Sequence, residues 1–254
     1  MSGLLEGRVA VVTGGARGIG RAIAAALSAQ GARGMILDLE PAIEGAAPPQ
    51  GFLFHPADVT REAELRSAFT SAVERFGRLD VVAANAGVVP PWRQPEGLDI
   101  EEWGRVFATN VGGLASTIKH AVPLIGRGGG SIVVTVSVNA LRAPPSQMAY
   151  TASKSALVGL IRTAALDLGA RGIRVNGVAP GTVMTDALVT RIKRRQAEGG
   201  PERAVVESET RARTPLRALA IESDVANAAV FLSSDWAARI TGHILPIDGG
   251  YGIA

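Results

Sequence analysis

The feature that most constrains the fold of this chain is a glycine-rich turn between a β-branched run and a helical segment. The run covers residues 9–12, the turn 13–20 and the helical spacing 21–30, with Gly31 directly after it. At such a junction the free backbone amides and the positive end of the helix dipole face an anion. Glycines let the backbone approach that anion with no Cβ in the way. The stretch therefore predicts a phosphate cradle at the end of the first strand, opening a helix that Gly31 closes.

Short apolar runs alternate with helical patterns along the whole sequence. Further strands are predicted at residues 35–37, 52–55, 79–84, 131–136, 174–178 and within 240–250, and further helices at 61–76, 99–125, 149–168 and 223–232. Thr60 is expected to cap the helix at 61–76, and Asp99 the helix at 99–125. This alternation is typical of one α/β domain. We therefore predict a Rossmann-type doubly wound parallel sheet of about seven strands, with helices on both faces, formed by residues 1–254.

The composition argues against several kinds of site. The 254 residues include no cysteine and three widely separated histidines, so disulfides, a cysteine nucleophile and a metal centre are not expected. The 26 basic residues stand against 23 acidic ones, and no basic run is interleaved with aromatic residues, so a nucleic-acid partner is not expected either. The apolar runs are too short to cross a bilayer and the N-terminus has no export pattern. We therefore expect a cytoplasmic protein with no membrane partner.

An acidic residue ends the second predicted strand. Asp38 lies twenty residues after Gly18, where a carboxylate accepts hydrogen bonds from the adenosine ribose hydroxyls and repels a 2′-phosphate. Arg17 in the glycine turn is a counter-signal, because its cation could bind that phosphate. Leu39 adds no second positive charge. We therefore predict NAD in preference to NADP.

A tyrosine and a lysine four residues apart are the candidates for proton transfer. Tyr150 and Lys154 fall on one face of the helix predicted at 149–168. An ammonium about 4 Å from the phenol, at an effective dielectric of about 20, favours the phenolate by about 4 kcal/mol, or roughly three pK units. The lysine is thus expected to bring the tyrosine pKa close to working pH, although the spacing alone also fits an amphipathic surface pair.

Several of these stretches resemble motifs of the classical short-chain dehydrogenase/reductase family. Residues 13–20 resemble its TGxxxGxG turn, and Asn85-Ala86-Gly87 resembles its NAG motif. Ala84 stands where that family has a further asparagine. The resemblance extends over residues 9–250 and implies an oxidoreductase that uses a nicotinamide dinucleotide.

The resemblance also implies a catalytic tetrad, because Asn110, Ser137, Tyr150 and Lys154 are similar to it in order and spacing. It makes Tyr150 the acid/base and places the Ser137 hydroxyl on the reacting oxygen. Lys154 then lowers the tyrosine pKa and binds the nicotinamide ribose. Asn110 is a poor helix former within the helix predicted at 99–125. Its amide either bonds a neighbouring backbone group or, as the resemblance implies, bends the helix and holds a water in the proton relay.

The residues expected to contact the dinucleotide lie in the glycine turn, at the strand ends and in the turn at 179–185. By resemblance, the Val183 backbone and the Thr185 hydroxyl meet the nicotinamide carboxamide. The full predicted set is Gly14, Arg17, Gly18, Ile19, Gly20, Asp38, Leu39, Asp58, Val59, Asn85, Ala86, Gly87, Tyr150, Lys154, Pro180, Gly181, Val183 and Thr185. The substrate is expected to meet Ser137, Asn139, Gln147, Tyr150 and Met184, beside Val88, Val89 and Val138.

The polar segment 186–215 is similar to the mobile substrate lid of that family. Its Arg191, Lys193, Arg194 and Arg195 either bind an anionic substrate or face water. We favour exposure to water, because charged side chains clustered on a helix are seldom buried.

The sequence therefore predicts an NAD-dependent enzyme that interconverts a secondary alcohol, mainly apolar, and its ketone. One alternative is an NADPH-dependent reductase of 3-oxoacyl thioesters on acyl carrier protein, which Arg17 and the basic lid would suit. Another is a non-catalytic NAD-binding sensor. By resemblance the protein forms a homotetramer. The apolar positions Leu114, Ile118, Leu157 and Leu160 either pair across a two-fold axis or cover the sheet.

Overall fold

Among the residues that the computed structural model describes, 3–41 and 47–254, seven parallel strands form one sheet. They are β1 (Val9–Thr13), β2 (Arg33–Asp38), β3 (Phe52–Pro56), β4 (Val81–Ala84), β5 (Gly130–Thr135), β6 (Ile173–Pro180) and β7 (Ile244–Ile247). Their order across the sheet is β3-β2-β1-β4-β5-β6-β7, with every neighbouring pair parallel. The predicted fold class is confirmed.

Helices cover both faces of this sheet. In chain order they are α1 (Gly18–Ala29), α2 (Glu62–Phe76), α3 (Ile100–Phe107), α4 (Gly113–Ala121), α5 (Met148–Gly169), α6 (Asp186–Ala197), α7 (Arg203–Arg213) and α8 (Glu222–Ser233). The core on one face includes buried residues of α1 and α8, and the core on the other includes buried residues of α2, α4 and α5. The segment predicted as a lid contains α6 and α7.

The central strands are apolar because both of their faces are covered. All five residues of β1 are buried, with Val11 in one core and Val12 in the other. Successive side chains of a strand point to opposite faces, so a doubly covered strand needs an unbroken apolar run. Burying one large apolar side chain contributes about 1.5–3 kcal/mol. The fully buried Leu65 and Phe69 make the inner face of α2 a large contributor to stability.

The strand order reverses at β1. This strand bonds to β2 on one side and to β4 on the other. The chain therefore leaves β1 in two directions and opens a crevice at the carboxyl ends of these strands, where ligands of such sheets bind. Because Gly14 follows β1 and Asn85 follows β4, the fold brings the glycine turn and the NAG motif side by side.

The start of α2 differs from the prediction. The helix begins at Glu62, and its N-cap is Arg61, whose side chain makes no capping bond to the described residues. Thr60, expected to be the cap, instead donates its hydroxyl to Asp58 Oδ1 at 2.7 Å. The prediction of Thr60 as the cap was wrong because Asp58 organises this turn, accepting the Thr60 amide as well at 2.8 Å.

The helix predicted at 99–125 is divided into segments. α3 passes into a π-helical turn at Ala108–Gly112, then into α4 and a 3-10 turn at Val122–Leu124. Asp99 caps the start as predicted, since its Oδ1 accepts from the amides of Glu101 at 2.9 Å and Glu102 at 3.0 Å. Asn110 lies in the π-helical turn, a local distortion that is frequent at functional sites.

The apolar positions considered for subunit pairing belong mainly to the core of the chain itself. Leu114 and Leu157 are buried beneath their own helices, in agreement with the alternative that these positions cover the sheet. Ile118 and Leu160 are partly buried and pack against the same core. No helix within the described ranges is long and apolar enough to cross a membrane.

Candidate active site

The glycine turn after β1 forms a cradle that side chains would fill. Gly14 has φ +62°, and a Cβ there would stand 2.7 Å from the Ala86 Cα. A Cβ on Gly20 would collide with the carbonyl oxygen of Gly14. Arg17, the N-cap residue of α1, is exposed and its side chain makes no capping bond within the described structure. The first amides of α1 are thus left for an anion, and the cradle fits a dinucleotide phosphate.

A fixed carboxylate lies beside this cradle. Asp38 Oδ2 accepts from the Ala16 amide at 3.0 Å, and Asp38 Oδ1 accepts from the Leu39 amide at 2.8 Å. Each carboxylate oxygen can still accept a second bond. Leu39 is 62% exposed. Asp38 therefore has the position and the free acceptors that the adenosine ribose of a nicotinamide dinucleotide requires.

The NAG motif braces the glycine turn. Asn85 Nδ2 donates to the Gly14 carbonyl at 2.9 Å, and Asn85 Oδ1 accepts from the Thr135 hydroxyl at 3.0 Å. The amides of Asn85 and Ala86 both donate to Thr13 Oγ1, at 3.1 and 3.2 Å. The Asn85 side chain thus joins the ends of β1, β4 and β5 and holds the glycine turn in place.

Asp58 and Val59, which were predicted to contact the dinucleotide, are only partly available to a ligand. Asp58 Oδ1 is taken by the amide and the hydroxyl of Thr60. Val59 is 7% exposed, and its side chain packs where a Cβ on Gly113 would stand, with Cγ2 at 2.7 Å. The side chain of Val59 therefore supports the core, and its backbone is the part that remains for a ligand.

The turn after β6 lies across the glycine turn. The Gly181 amide donates to the Ile247 carbonyl at 3.0 Å, which ties the end of β6 to β7. The Thr185 methyl lies 3.6 Å from where a Cβ on Gly18 would be. Thr185 Oγ1 accepts from the Leu188 amide at 3.3 Å and so caps α6. Val183 is buried. The residues predicted for the nicotinamide end, Pro180, Gly181, Val183 and Thr185, thus close the crevice opposite the phosphate cradle.

Lys154 faces the crevice from α5. Its Nζ lies 5.9 Å from the centre of the Tyr150 ring and donates to the Thr135 carbonyl at 2.7 Å. The residue is 4% exposed, and the loss of hydration lowers the pKa of its ammonium to about 8. Lys154 therefore gains and loses its proton close to neutral pH.

The phenol of Tyr150 behaves differently from the prediction. Burial raises its pKa, and the Ser137 hydroxyl and the Arg191 charge oppose this effect without reversing it. The predicted fall of the tyrosine pKa toward neutral pH is not seen, because burial of the phenol is the largest effect, and the Lys154 ammonium donates to the Thr135 carbonyl. Tyr150 is consequently protonated at neutral pH.

Asn110 uses its amide to hold the segment after the NAG motif. Its Oδ1 accepts from the Val88 amide at 2.8 Å, and its Nδ2 donates to the Val88 carbonyl and to Ser153 Oγ, both at 3.0 Å. The possibility that this side chain satisfies a neighbouring backbone group is confirmed. Beside it lies a cavity of about 10 Å³. Its polar lining residues are Thr13, Asn110, Thr117, Thr135 and Lys154. That volume suits about one water molecule.

The polar residues predicted for the substrate bond to one another. Ser137 Oγ accepts from the Asn139 amide at 3.2 Å, and Asn139 Nδ2 donates to Gln147 Oε1 at 3.2 Å. Val138 is 3% exposed, so its side chain belongs to the interior. The more exposed lining on this side is Val88, Val89 and, partly, Met184. The exposed wall of the crevice is therefore mainly apolar.

Arg191 was predicted to face water but packs against the segment that follows the NAG motif. Its guanidinium stacks on Trp92, with Cζ 3.9 Å from the ring centre, and its Nη2 donates to the Pro90 carbonyl at 2.8 Å. Lys193, Arg194 and Arg195 are exposed as predicted, but for Arg191 the prediction was wrong. The sequence does contain a signal for this inward position. Leu188 and Ile192, at i, i+4 spacing, mark the inward face of α6, and Arg191 lies beside them.

Known proteins match this chain over nearly its whole length. Residues 14–252 match the family model described as Enoyl-(Acyl carrier protein) reductase. Short-chain dehydrogenase reductase 3b of Arabidopsis thaliana is 39% identical over 256 residues, covering 98% of this chain and 97% of that protein. The crystal structure of levodione reductase is similar, with a TM-score of 0.90 at 32% identity, covering 98% of this chain and 99% of that one. The structure of carveol dehydrogenase from Mycobacterium avium in complex with NAD also has a TM-score of 0.90 at 32% identity, covering 99% of this chain and 100% of that one. With its fold, its glycine turn and its Asn-Ser-Tyr-Lys set, the chain belongs to the classical short-chain dehydrogenase/reductase family of oxidoreductases.

Proposed function

We propose that this protein is an NAD-dependent dehydrogenase that interconverts a secondary alcohol and its ketone. The observation that carries the proposal is the setting of Tyr150. Its phenol is close enough to the Ser137 hydroxyl for that group to affect its pKa, and its ring centre lies 5.9 Å from Lys154 Nζ. These groups meet at the carboxyl edge of the sheet, where the phosphate cradle opens. A proton donor is thus held next to the place where a nicotinamide ring would end.

Tyr150 is the acid of the proposed reduction and the base of the oxidation. When bound, the dinucleotide supplies the hydride donor or acceptor. In reduction, Tyr150 donates its phenolic proton to the carbonyl oxygen, and Ser137 donates a hydrogen bond to the same oxygen. The raised pKa of Tyr150 keeps the phenol protonated and ready for this step. In oxidation, Tyr150 accepts the hydroxyl proton after its own proton has been passed on.

Lys154 is the next group on the proposed proton path. With a pKa of about 8, it is the neighbour of Tyr150 that both accepts and releases a proton near neutral pH. The small cavity between Asn110 and Lys154 offers a water site that would extend this path inward. As in the family, we assign Lys154 a second role in binding the nicotinamide ribose.

Asp38 supports NAD over NADP. Its carboxylate is fixed by two backbone amides at the end of β2, and a fixed negative charge there repels a 2′-phosphate. The carveol dehydrogenase with the same fold is in complex with NAD. The exposed Arg17 favours a second candidate, an NADPH-dependent reductase of 3-oxoacyl thioesters.

The experiment that tests the proposed function is a rate comparison. Initial rates are measured across a panel of cyclic, linear and acidic secondary alcohols and their ketones, with NAD(H) and NADP(H) in parallel. Turnover with NAD(H) is the expected result. Turnover confined to NADPH and oxoacyl thioesters would select the second candidate, and NAD binding without any turnover would point to a sensor.

We also propose a homotetramer, as in the family. Since Leu114 and Leu157 are buried within the chain, subunit contacts would use more exposed positions of the same helices, such as Leu166, which is 84% exposed. Light scattering at micromolar concentration tests this, and a monomeric mass would contradict it.

A further inference from the structure

Arg191 is anchored on one side and free on the other. Its guanidinium lies flat on Trp92 at 3.9 Å, and one of its five N–H groups donates to the Pro90 carbonyl at 2.8 Å. Its Nε is buried and has no hydrogen-bond partner within the described residues. Lys193, two positions further along α6, is exposed. The helix therefore directs Arg191 inward, with Arg195 Cζ 5.0 Å from the same Trp92 ring centre, and leaves the N–H groups of Arg191 with unused bonding capacity.

The anchor of Arg191 belongs to the wall of the crevice that contains Tyr150. Pro90 and Trp92 lie in the segment after the NAG motif, and Asn110 fixes the start of that segment through both backbone groups of Val88. The charge of Arg191 lowers the pKa of Tyr150, and the charge of the phenolate raises that of Arg191. The guanidinium is thus within electrostatic range of the phenol that we propose as the acid/base.

Arg191 is half-buried, and a guanidinium nitrogen that is buried without a partner among the described residues is costly unless an anion meets the group. Among the described residues no carboxylate lies within 4.0 Å of Arg191, whereas Arg194 on the same helix pairs with Glu198 at 3.5 Å. Desolvation lowers the pKa of Arg191 to about 10. Stacking on Trp92 offsets part of this cost, since a cation over an indole face is favourable. The remaining cost points to an anion supplied by the ligand.

We propose that Arg191 binds an anionic group of the substrate, a carboxylate or a sulfonate. The substrate is then a hydroxy or oxo anion whose apolar body lies against Val88 and Val89. This inference rests on the proposed function, because Tyr150 defines where the reacting carbon lies. The planar guanidinium matches two oxygens of such an anion in a bidentate pair. With the anion held by Arg191, the carbinol carbon is oriented toward Tyr150, which favours the reactive geometry.

The first test compares anionic and neutral substrates of the same shape. kcat/KM is measured for secondary hydroxy acids, their sulfonate analogues and their uncharged amides, in the wild type, Arg191→Gln, Arg191→Lys and Lys193→Gln. The wild type should prefer the anions, and Arg191→Gln should lose roughly 100-fold on them, as expected for charge-assisted hydrogen bonds. The amides should change by less than about threefold. Arg191→Lys should recover part of the preference, and Lys193→Gln, the matched control for charge on the same helix, should behave as wild type.

The second test does not depend on turnover. Calorimetry with NAD present measures the binding of butyrate, propanesulfonate and the neutral butyramide to the same variants. Anion binding that is lost in Arg191→Gln and kept in Lys193→Gln supports the inference, even where no alcohol in the panel is oxidised and the proposed function has failed.

Equal losses on anionic and neutral substrates in Arg191→Gln, or no binding of either anion by the wild type, would overturn the inference. Arg191 would then only fasten α6 to Trp92. The proposed function would still stand if neutral alcohols were oxidised with NAD.

Discussion

The Lys154 ammonium donates to the Thr135 carbonyl oxygen at 2.7 Å, while its Nζ stands 5.9 Å from the centre of the Tyr150 ring. The helical spacing alone predicts that Lys154 acts on the pKa of Tyr150, whereas in the structure the two side chains have separate environments. Tyr150 stays protonated because burial raises its pKa, and Lys154 titrates because desolvation lowers its pKa to about 8. The proposed acid, Tyr150, and the group that titrates nearby, Lys154, are therefore different residues.

The pH dependence of alcohol oxidation should report the ionisation of Lys154. Below about pH 8 the ammonium is charged and cannot accept a proton, and above that pH it is neutral and can. The rate of oxidation should therefore rise as the pH passes through about 8. In Lys154→Arg the side chain keeps its charge throughout this range, so this rising limb should disappear from kcat profiles between pH 6 and 10. Lys119→Arg, at an exposed position, is the control and should keep it. A limb unchanged in Lys154→Arg would assign the ionisation to another group.

Replacing Asp38 by Asn should change the cofactor preference. The variant loses the charge that repels a 2′-phosphate and the strong acceptor for the ribose hydroxyls. We expect kcat/KM with NAD to fall by about 10-fold to 100-fold, the range of a hydrogen bond to a charged group. The ratio of NADP to NAD activity should rise. Paired rates with both cofactors check this. If the wild type already prefers NADP and Arg17→Gln removes that preference, Arg17 governs the site.

Replacing Asn110 by Ala should destabilise the protein. The change removes the amide that bonds both backbone groups of Val88 and the hydroxyl of Ser153. Leaving such groups without partners costs about 1–3 kcal/mol each, reduced where water reaches them. We expect the free energy of unfolding to fall by about 2–4 kcal/mol, measured by urea denaturation. Asn227→Ala, at an exposed position of α8, should change it by less than about 0.5 kcal/mol. Equal effects of the two variants would remove the anchoring role of Asn110.

Replacing Gly20 by Ala should damage the phosphate cradle. The added Cβ would meet the carbonyl oxygen of Gly14, and this contact involves backbone that cannot move aside without opening the turn. We expect a loss of about 2–4 kcal/mol in stability and weaker NAD binding by calorimetry. At Gly104 in α3 a Cβ would meet nothing within 4 Å. Gly104→Ala should therefore leave NAD binding intact and stabilise the helix by about 0.5–1 kcal/mol. A stable Gly20→Ala that binds NAD normally would contradict the role of the turn.

The sequence predicts the sheet well because glycine or polar residues mark the ends of several strands. The glycine turn after β1, Asp38 at the end of β2 and Asn85 after β4 are local signals, and a parallel sheet necessarily gathers them at one edge. The π-helical turn around Asn110 could not be predicted, because its only signal in the sequence is a residue of low helix propensity inside a predicted helix. The inward turn of Arg191 depends on Trp92, about a hundred residues earlier, so its partner could not be recognised from spacing along α6. The pKa values of Tyr150 and Lys154 depend on burial and on the Thr135 carbonyl, neither of which an i, i+4 pair reveals.

We propose that Tyr150 transfers the proton, and Tyr150→Phe is the variant that tests this role. The substitution removes the phenolic oxygen and keeps the ring that packs beside Lys154. With NAD affinity measured by calorimetry on the same preparation, we expect binding within about threefold of wild type and a loss of about 10²–10⁴ in kcat, the range of general acid/base catalysis. Near wild-type turnover by Tyr150→Phe with unaltered NAD binding would show that another group transfers the proton, and the proposed role of Tyr150 would be wrong.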